Sequence, residues 1–334
     1  MTDTFFRLGL FSHDASTKLC LVLGDEDIVE LRNASTFAGQ PAIAEARRLD
    51  DLLVDWDRNF DRLRNVAEAI TREGVANFRP LRLEDVLPLA PVTRPQRLLY
   101  AAANYADHVA GMTKTFASGL PAPDVPKAQL RPYLFAKACA MTGAFDEIVL
   151  PPGMERIDWE AELAVVIGRK GKRIAPEKVG DHIAGYMTTN DVSCRDLTWR
   201  EDRPAIRSDW LSGKSFDSFA PMGPYFTPKA FVPAHDNLWI RLWVNGTLKQ
   251  DGISRDMIFG IEDQIACAAT MMTLAPGDIF STGTPAGTGQ ERLEFLKAGD
   301  LVEAEVELCG RQRNRVVAGD SAYSARNRRA PQIA

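Results

Sequence analysis

The segment DWEAELAVVIG, residues 158 to 168, gathers three acidic side chains immediately before an apolar run. In an extended chain alternate residues share a face, so Asp158, Glu160 and Glu162 point one way and Trp159, Ala161 and Leu163 the other. Glutamates two apart have Cα atoms roughly 6–7 Å apart on that geometry, close enough to converge on one ion. The apolar run that follows sets them at the mouth of a buried strand, where like charges repel strongly without a cation. An isolated Glu-x-Glu pair is ordinarily a solvated face. What raises this one is a second acid, Asp191, at the polar end of the apolar run in GYMTTNDVSCRD. Three carboxylates with no cysteine or histidine pair form a hard, all-oxygen donor set, suited to Mg²⁺, Mn²⁺ or Ca²⁺ and poorly suited to Zn²⁺.

Other residues could work beside such an ion. Lys214, in WLSGKSFDSF, would by default be a surface lysine, but its apolar flanks allow burial and an ammonium there could bind a carboxylate or an enolate oxyanion. Lys137, interrupting the apolar YLFAKA, is a lesser candidate of the same kind. Of the four histidines, His108 alone has catalytic context: it follows LLYAAANYAD, a strand end, and precedes a long Gly/Pro/Ser-containing stretch, residues 109 to 131, read as a lid. The loop STGTPAGTG lacks the sequence of a phosphate or dinucleotide loop, and its plainest reading is a tight turn.

The elements that must position these residues are mostly strands. RLGLF, TKLCLVLG and DIVEL predict a small N-terminal sheet, and Leu49, Leu52, Leu53, Trp56, Phe60, Leu63, Val66 and Ile70 trace one apolar helical stripe ended by Gly74. Prolines 80, 88, 91 and 95 then mark a junction. Beyond it LLYAAANY, IVLPP, ELAVVIG, GYMTTNDVS, WIRLWVNG and LVEAEVEL read as strands, with one clear helix in IFGIEDQIACAATMMTL. Without regular βαβ repeats the fold class is α+β and β-rich: a small N-terminal domain (1–90), a catalytic domain (97–318) and a C-terminal tail (319–334).

A length of 334 residues, 45% hydrophobic and 25% charged, is that of an ordinary globular protein. A net charge of −5 with no basic stripe argues against nucleic acid as the main partner. No apolar run approaches a bilayer span and the N-terminal residues lack a signal-peptide pattern, so no membrane association and a cytoplasmic location are expected. The five cysteines form no CxxC pair and are read as inert thiols.

The segments NYADH (104–108), DWEAELAVVIGR (158–169), AGYMTTNDVSCRDL (184–197), GKSFDSFAPMGP (213–224) and GDIFSTGTPAGTG (277–289) resemble, in order, the signature blocks of the fumarylacetoacetate hydrolase superfamily. The resemblance implies a mixed β-roll core and a homodimer. It implies Glu160, Glu162 and Asp191 as ligands of Mg²⁺ (or Mn²⁺ or Ca²⁺), and His108 and Lys214 as catalytic residues. It further implies a substrate-facing loop with Gly283 and Thr284, and Tyr105, Lys137 and Arg195 are expected to bind substrate beside it. One position departs from the pattern. Hydrolases of this superfamily carry a glutamate three residues after the histidine, where this chain has Gly111. Either another acid, such as Asp124 or Glu155, orients His108, or the water-activating pair is absent and Gly111→Glu creates it.

The leading expectation is hydrolysis of a C–C bond in a β-diketo acid of the acylpyruvate or fumarylacetoacetate type, in catabolism of aromatic or sugar-derived compounds. The alternative is a decarboxylase or keto–enol isomerase acting on a 2-oxo acid through an enolate held by the metal. A non-catalytic metal-binding protein is the third reading.

Overall fold

In the strand Ala161–Ile167 every residue is buried, because its two faces meet two different cores. Leu163, Val165 and Ile167 belong to one apolar cluster, and Ala164 and Val166 to another. A strand covered on both sides needs no polar alternation, which is why this run reads as continuously apolar. It sits inside a six-stranded sheet ordered Thr227–Pro228, Ile183–Asn190, Ala161–Ile167, Ile279–Ser281, Leu98–Ala102 and Tyr133–Ala136. Neighbours are antiparallel except the parallel pair of Ile279–Ser281 with Leu98–Ala102. The computed structural model describes residues 4–24, 27–115, 127–200 and 202–320.

One face of this sheet packs on a five-stranded sheet ordered Thr247–Ile253, Trp239–Val244, Leu301–Val306, Gly310–Ala318 and Ile148–Leu150. In Leu301–Val306 the alternation is as the sequence predicts, with Val302, Ala304 and Val306 buried and Glu303 and Glu305 partly exposed. Asn245 and Gly246, both at positive φ, close the hairpin between Trp239–Val244 and Thr247–Ile253. The other face carries the N-terminal layer. It consists of a four-stranded sheet, Asp27–Glu30, Ser16–Leu23, Phe6–His13 and Leu87–Leu89, and the helix Trp56–Glu73. Leu8, Leu21, Leu63, Val66 and Ile70 share one core with Leu98, Val166 and Ile279, so this layer and the central sheet are packed as one body.

The single stripe expected from Leu49 to Ile70 is two helices, Leu49–Leu53 and Trp56–Glu73, with Asp55 at the second N-cap position. Gly74 ends the second one at φ +89°. The stretch from residue 109, expected to be a loop, begins as helix: Ala106–Thr115 carries His108. Residues 116–126 of the expected lid, Asp124 among them, and most of the expected tail lie outside the described residues. Among the described residues no helix is long and apolar enough to cross a membrane.

Candidate active site

Glu160, Glu162 and Asp191 come together, each offering a carboxylate oxygen within 4.8 Å of the others, and all three are buried. The backbone explains how. The register sets Ala161 opposite Asn190, and the Asp191 amide donates to the Glu160 carbonyl at 2.8 Å, which locks the two strand ends together. Asn190 Oδ1 receives the Glu160 amide at 2.8 Å. The extended run expected from Asp158 to Glu162 is interrupted at Trp159 and Glu160, where Ile157–Asp158 leaves to pair with Ser193–Cys194. Asp158 therefore faces other partners than the triad's centre.

Cations surround the acids. The Lys214 ammonium, 1% exposed, donates to Glu160 Oε2 at 2.9 Å and Asp191 Oδ2 at 2.5 Å. Lys137 donates to Asp191 Oδ1 at 2.6 Å and to the carbonyls of Val192 and Phe219 at 3.0 and 2.5 Å. A lysine has three donors, so Lys137 has none left for a substrate and the substrate-facing role expected of it does not fit. Arg195 braces the acids through Nε and Nη2, bonding Asp158 at 2.7–2.8 Å and also Glu160, and Nη1 is not used by these contacts, so a substrate contact is compatible with this bracing.

These contacts leave an imbalance. Four buried carboxylates, Asp158, Glu160, Glu162 and Asp191, meet three cations, Lys137, Lys214 and Arg195. The deficit falls on Glu162. Its Oε2 accepts from Ser281 Oγ and, at 2.9 Å, from the Gly283 amide, while its buried Oε1 has no partner among the described residues. Burial, then the charges of Asp191 and Glu160, push its carboxyl well above the usual range. Glu160 is the opposite case: burial disfavours its charge, but Lys214, Arg195 and His108 outweigh it and hold the carboxyl below the usual range. Two full charges at 4.8 Å repel by about 3 kcal/mol at an effective dielectric near 20. An orphan buried oxygen in an all-oxygen, net-negative cage fits a hard divalent cation.

Beside the cage stands an acid–base pair. His108 Nδ1 hydrogen-bonds Glu291 Oε1, so among the described residues the acid that orients this imidazole is Glu291, and Glu155, the other described candidate, is exposed. Glu291, from the short helix Gly289–Arg292, also accepts from Thr288 Oγ1 at 3.2 Å and from the Gly287 amide at 2.9 Å. Gly111 is what lets it in. A Cβ at position 111 would lie 2.7 Å from Glu291 Oε2 and 2.9 Å from its Cδ. The glycine therefore marks the space Glu291 occupies, and the expectation that Gly111→Glu would complete an absent pair is overturned.

The remaining expected residues line the same region. Tyr105 is buried with a hydroxyl that has no hydrogen-bond partner among the described residues; burial, and next the Glu162 charge, push that phenol up. Gly283, at φ +93°, brings its amide to Glu162, and a Cβ there would meet Asn104 Cβ at 2.8 Å. Thr284 donates to the Ala161 carbonyl and accepts from Gln250 Nε2, both at 2.8 Å. Sequence reasoning missed Glu291, Gln250 and Asn104. Asn104 ties the His108 segment to the glycine loop through Thr282 O, Phe259 O and the Phe259 amide. Its place in NYADH was the available signal; for Glu291 the glycine at 111 was the signal, read in the wrong direction.

A family model described as fumarylacetoacetate (FAA) hydrolase C-terminal matches residues 98–317. Oxaloacetate tautomerase FAHD2A, mitochondrial, of Homo sapiens is 41% identical over 253 residues, covering 75% of this chain and 76% of its own length. The solved fumarylacetoacetate hydrolase of Exiguobacterium antarcticum superposes with TM-score 0.72 at 28% identity, covering 94% of this chain and 100% of that one. A 5-carboxymethyl-2-hydroxymuconate delta-isomerase from Mycobacterium smegmatis gives TM-score 0.65 at 26% identity, with 94% and 100% coverage. With its cage of acids, its order of motifs and this match across most of its length, the chain belongs to the fumarylacetoacetate hydrolase family.

Proposed function

We propose that this protein is a keto–enol tautomerase of a 2-oxo acid with an acidic C3 proton, oxaloacetate being the probe substrate. The observation that carries the reading is the His108–Glu291 pair next to the three-carboxylate cage. The 41% identity to an oxaloacetate tautomerase supports it. Glu160, Glu162 and Asp191 would hold Mg²⁺ or Mn²⁺. Such an ion supplies Lewis-acid polarisation of the 2-oxo group and lowers the acidity barrier at C3.

The residues of the chain do the rest. With Nδ1 engaged by Glu291, the imidazole presents Nε2 as the base that takes the C3 proton, and Glu291 stabilises the imidazolium that results. Returning the proton to the oxygen at C2 gives the enol, and the reverse order gives the keto form. Lys214, with two of its three donors on Glu160 and Asp191, has one to offer a substrate oxygen. The Tyr105 hydroxyl is a second donor available to substrate.

The test is enol–keto interconversion of oxaloacetate, followed by enol absorbance, run in parallel with acylpyruvate cleavage. Acceleration well above the buffer rate that depends on Mg²⁺ and falls at least about tenfold in Glu291→Gln is expected. A wild-type rate no faster than buffer discards the proposal. Hydrolysis of a C–C bond in an acylpyruvate is the second reading, favoured because the same pair can activate water. Cleavage that outpaces tautomerisation would make it the primary one. A homodimer and a cytoplasmic location are also proposed; light scattering and cell fractionation test them, the latter against the mitochondrial location in the human relative's name.

A further inference from the structure

Asp158 carries an unusual load for a residue outside the triad. It is fully buried, and its carboxylate gathers donors from three parts of the chain. Oδ1 accepts the Trp159 amide at 2.7 Å and the Gly289 amide at 2.5 Å. Oδ2 accepts the Gln290 amide at 3.1 Å and Arg195 Nε at 2.8 Å. Gly289 and Gln290 are the first two residues of the short helix that presents Glu291, and their amides have no partner inside that helix. The N-cap residue, Thr288, makes no side-chain capping bond to this helix, and the Asp158 carboxylate, 131 residues away, takes that place. The neighbouring Trp159 holds the same loop, its indole donating to the Gly287 carbonyl at 3.1 Å. The contact is also tight, since a Cβ on Gly289 would lie 2.7 Å from Asp158 Oδ1.

The other side of Asp158 leads to the cage. Arg195 bridges it to Glu160, so one guanidinium reads both the carboxylate that anchors the Glu291 loop and a carboxylate of the triad. We infer that Asp158 is the positioning residue of the proton-transfer pair, acting through the amides of Gly289 and Gln290 to set Glu291 against His108 in register with the cage. It touches neither substrate nor the reacting atoms. Its effect passes through the placement of Glu291, and the inference rests on the reading that His108 and Glu291 transfer the proton.

A double-mutant cycle tests it. Asp158→Asn keeps the shape and can still accept at one atom, but turns an NH₂ group toward donors. Asp158→Glu keeps the charge and lengthens the stem. The expected result is a fall in kcat of about tenfold to a hundredfold for Asp158→Asn, with KM for oxaloacetate and Mg²⁺ affinity by calorimetry within about threefold of wild type. In a Glu291→Gln background the same substitution should cost less than about twofold, because the group it positions is already disabled. The pH profile of kcat should shift in Asp158→Asn as it does in Glu291→Gln. Additive losses, or loss of Mg²⁺ binding equal to the loss of rate, would overturn the inference. So would failure of both Asp158 variants to fold, which would make Asp158 a residue of the fold instead. A Glu291→Gln variant with full activity would sink the functional reading itself, separately from the role of Asp158.

Discussion

At the scale of residues, the site is a contest over space and charge. Position 111 and the Glu291 carboxylate claim the same volume, since a Cβ at 111 comes within 2.7 Å of Oε2. Gly111→Glu should therefore inactivate instead of conferring new hydrolysis, by expelling the partner His108 already has. The paired variant Gly111→Glu with Glu291→Gly should recover at least about tenfold over Gly111→Glu alone, because one carboxylate then fills the space. Steady-state oxaloacetate tautomerisation on the two variants checks this, and a Gly111→Glu enzyme with wild-type rate would refute it. His108→Ala should lower turnover by roughly two to four orders of magnitude while calorimetry finds Mg²⁺ binding intact.

The triad was legible because its three acids stand at the ends of apolar runs, where a charge needs a reason. The pairing of Lys137 and Arg195 with those acids was not legible. A sequence gives the residue type but not which acceptors it meets: three of them exhaust the donors of Lys137, while Arg195 spends Nε and Nη2 on Asp158 and Glu160. Glu291 was invisible for a related reason. A side chain three residues away on a helix can be inferred from periodicity, whereas one supplied from 183 residues away is joined only by the tertiary fold.

At the scale of elements, the strand Ala161–Ile167 is the part the chain announced most clearly, as an unbroken apolar run. The run could not say what covers it. The N-terminal helix Trp56–Glu73 provides one cover, with Leu63 fully buried in the core that holds Val166 and Ile279. Leu63→Ala should cost about 2–5 kcal/mol, the usual range for such a truncation. Because that core is shared, urea unfolding followed by far-UV circular dichroism and by loss of activity should move together. Activity surviving past the circular dichroism transition would mean that the layer packs without supporting the site. The two-residue break between the helices at Val54 and Asp55 escaped the periodic pattern, since both helices present apolar residues to one core and the stripe runs across the gap.

At the scale of the whole molecule, the uncompensated charge on Glu162 couples metal, protons and stability. Its carboxyl sits above the ordinary 4.5, so the metal-free protein retains a proton there that the unfolded chain gives up. That contribution is fully present below pH 4.5 and is lost as the pH rises through the raised value. Metal-free protein should thus lose stability from this group on going upward from pH 4.5. A bound divalent ion must displace the proton, so binding should release protons and tighten as the pH rises. Calorimetry in two buffers of different ionisation heat measures the release, and equal apparent heats would refute it. At a hundredfold excess over Kd the ion should add about 2.7 kcal/mol to stability, read as a rise in Tm. Glu162→Gln should abolish that increment.

The separation of His108 and Glu291 along the chain also has a use. The hairpin tip at Asn245–Gly246 lies between them, with Gly246 exposed and open space where a Cβ would stand, while Asn245 is held by Asp300 and Leu301. Cutting there would leave His108, Lys214 and all three acids on one piece and Glu291 on the other. Exposed turns of this kind tolerate nicking. Neither half should turn over oxaloacetate alone, and the mixture should do so only when the strands Trp239–Val244 and Thr247–Ile253 re-pair. Fused to two proteins that bind each other, the halves would form a complementation reporter whose signal is the tautomerisation itself.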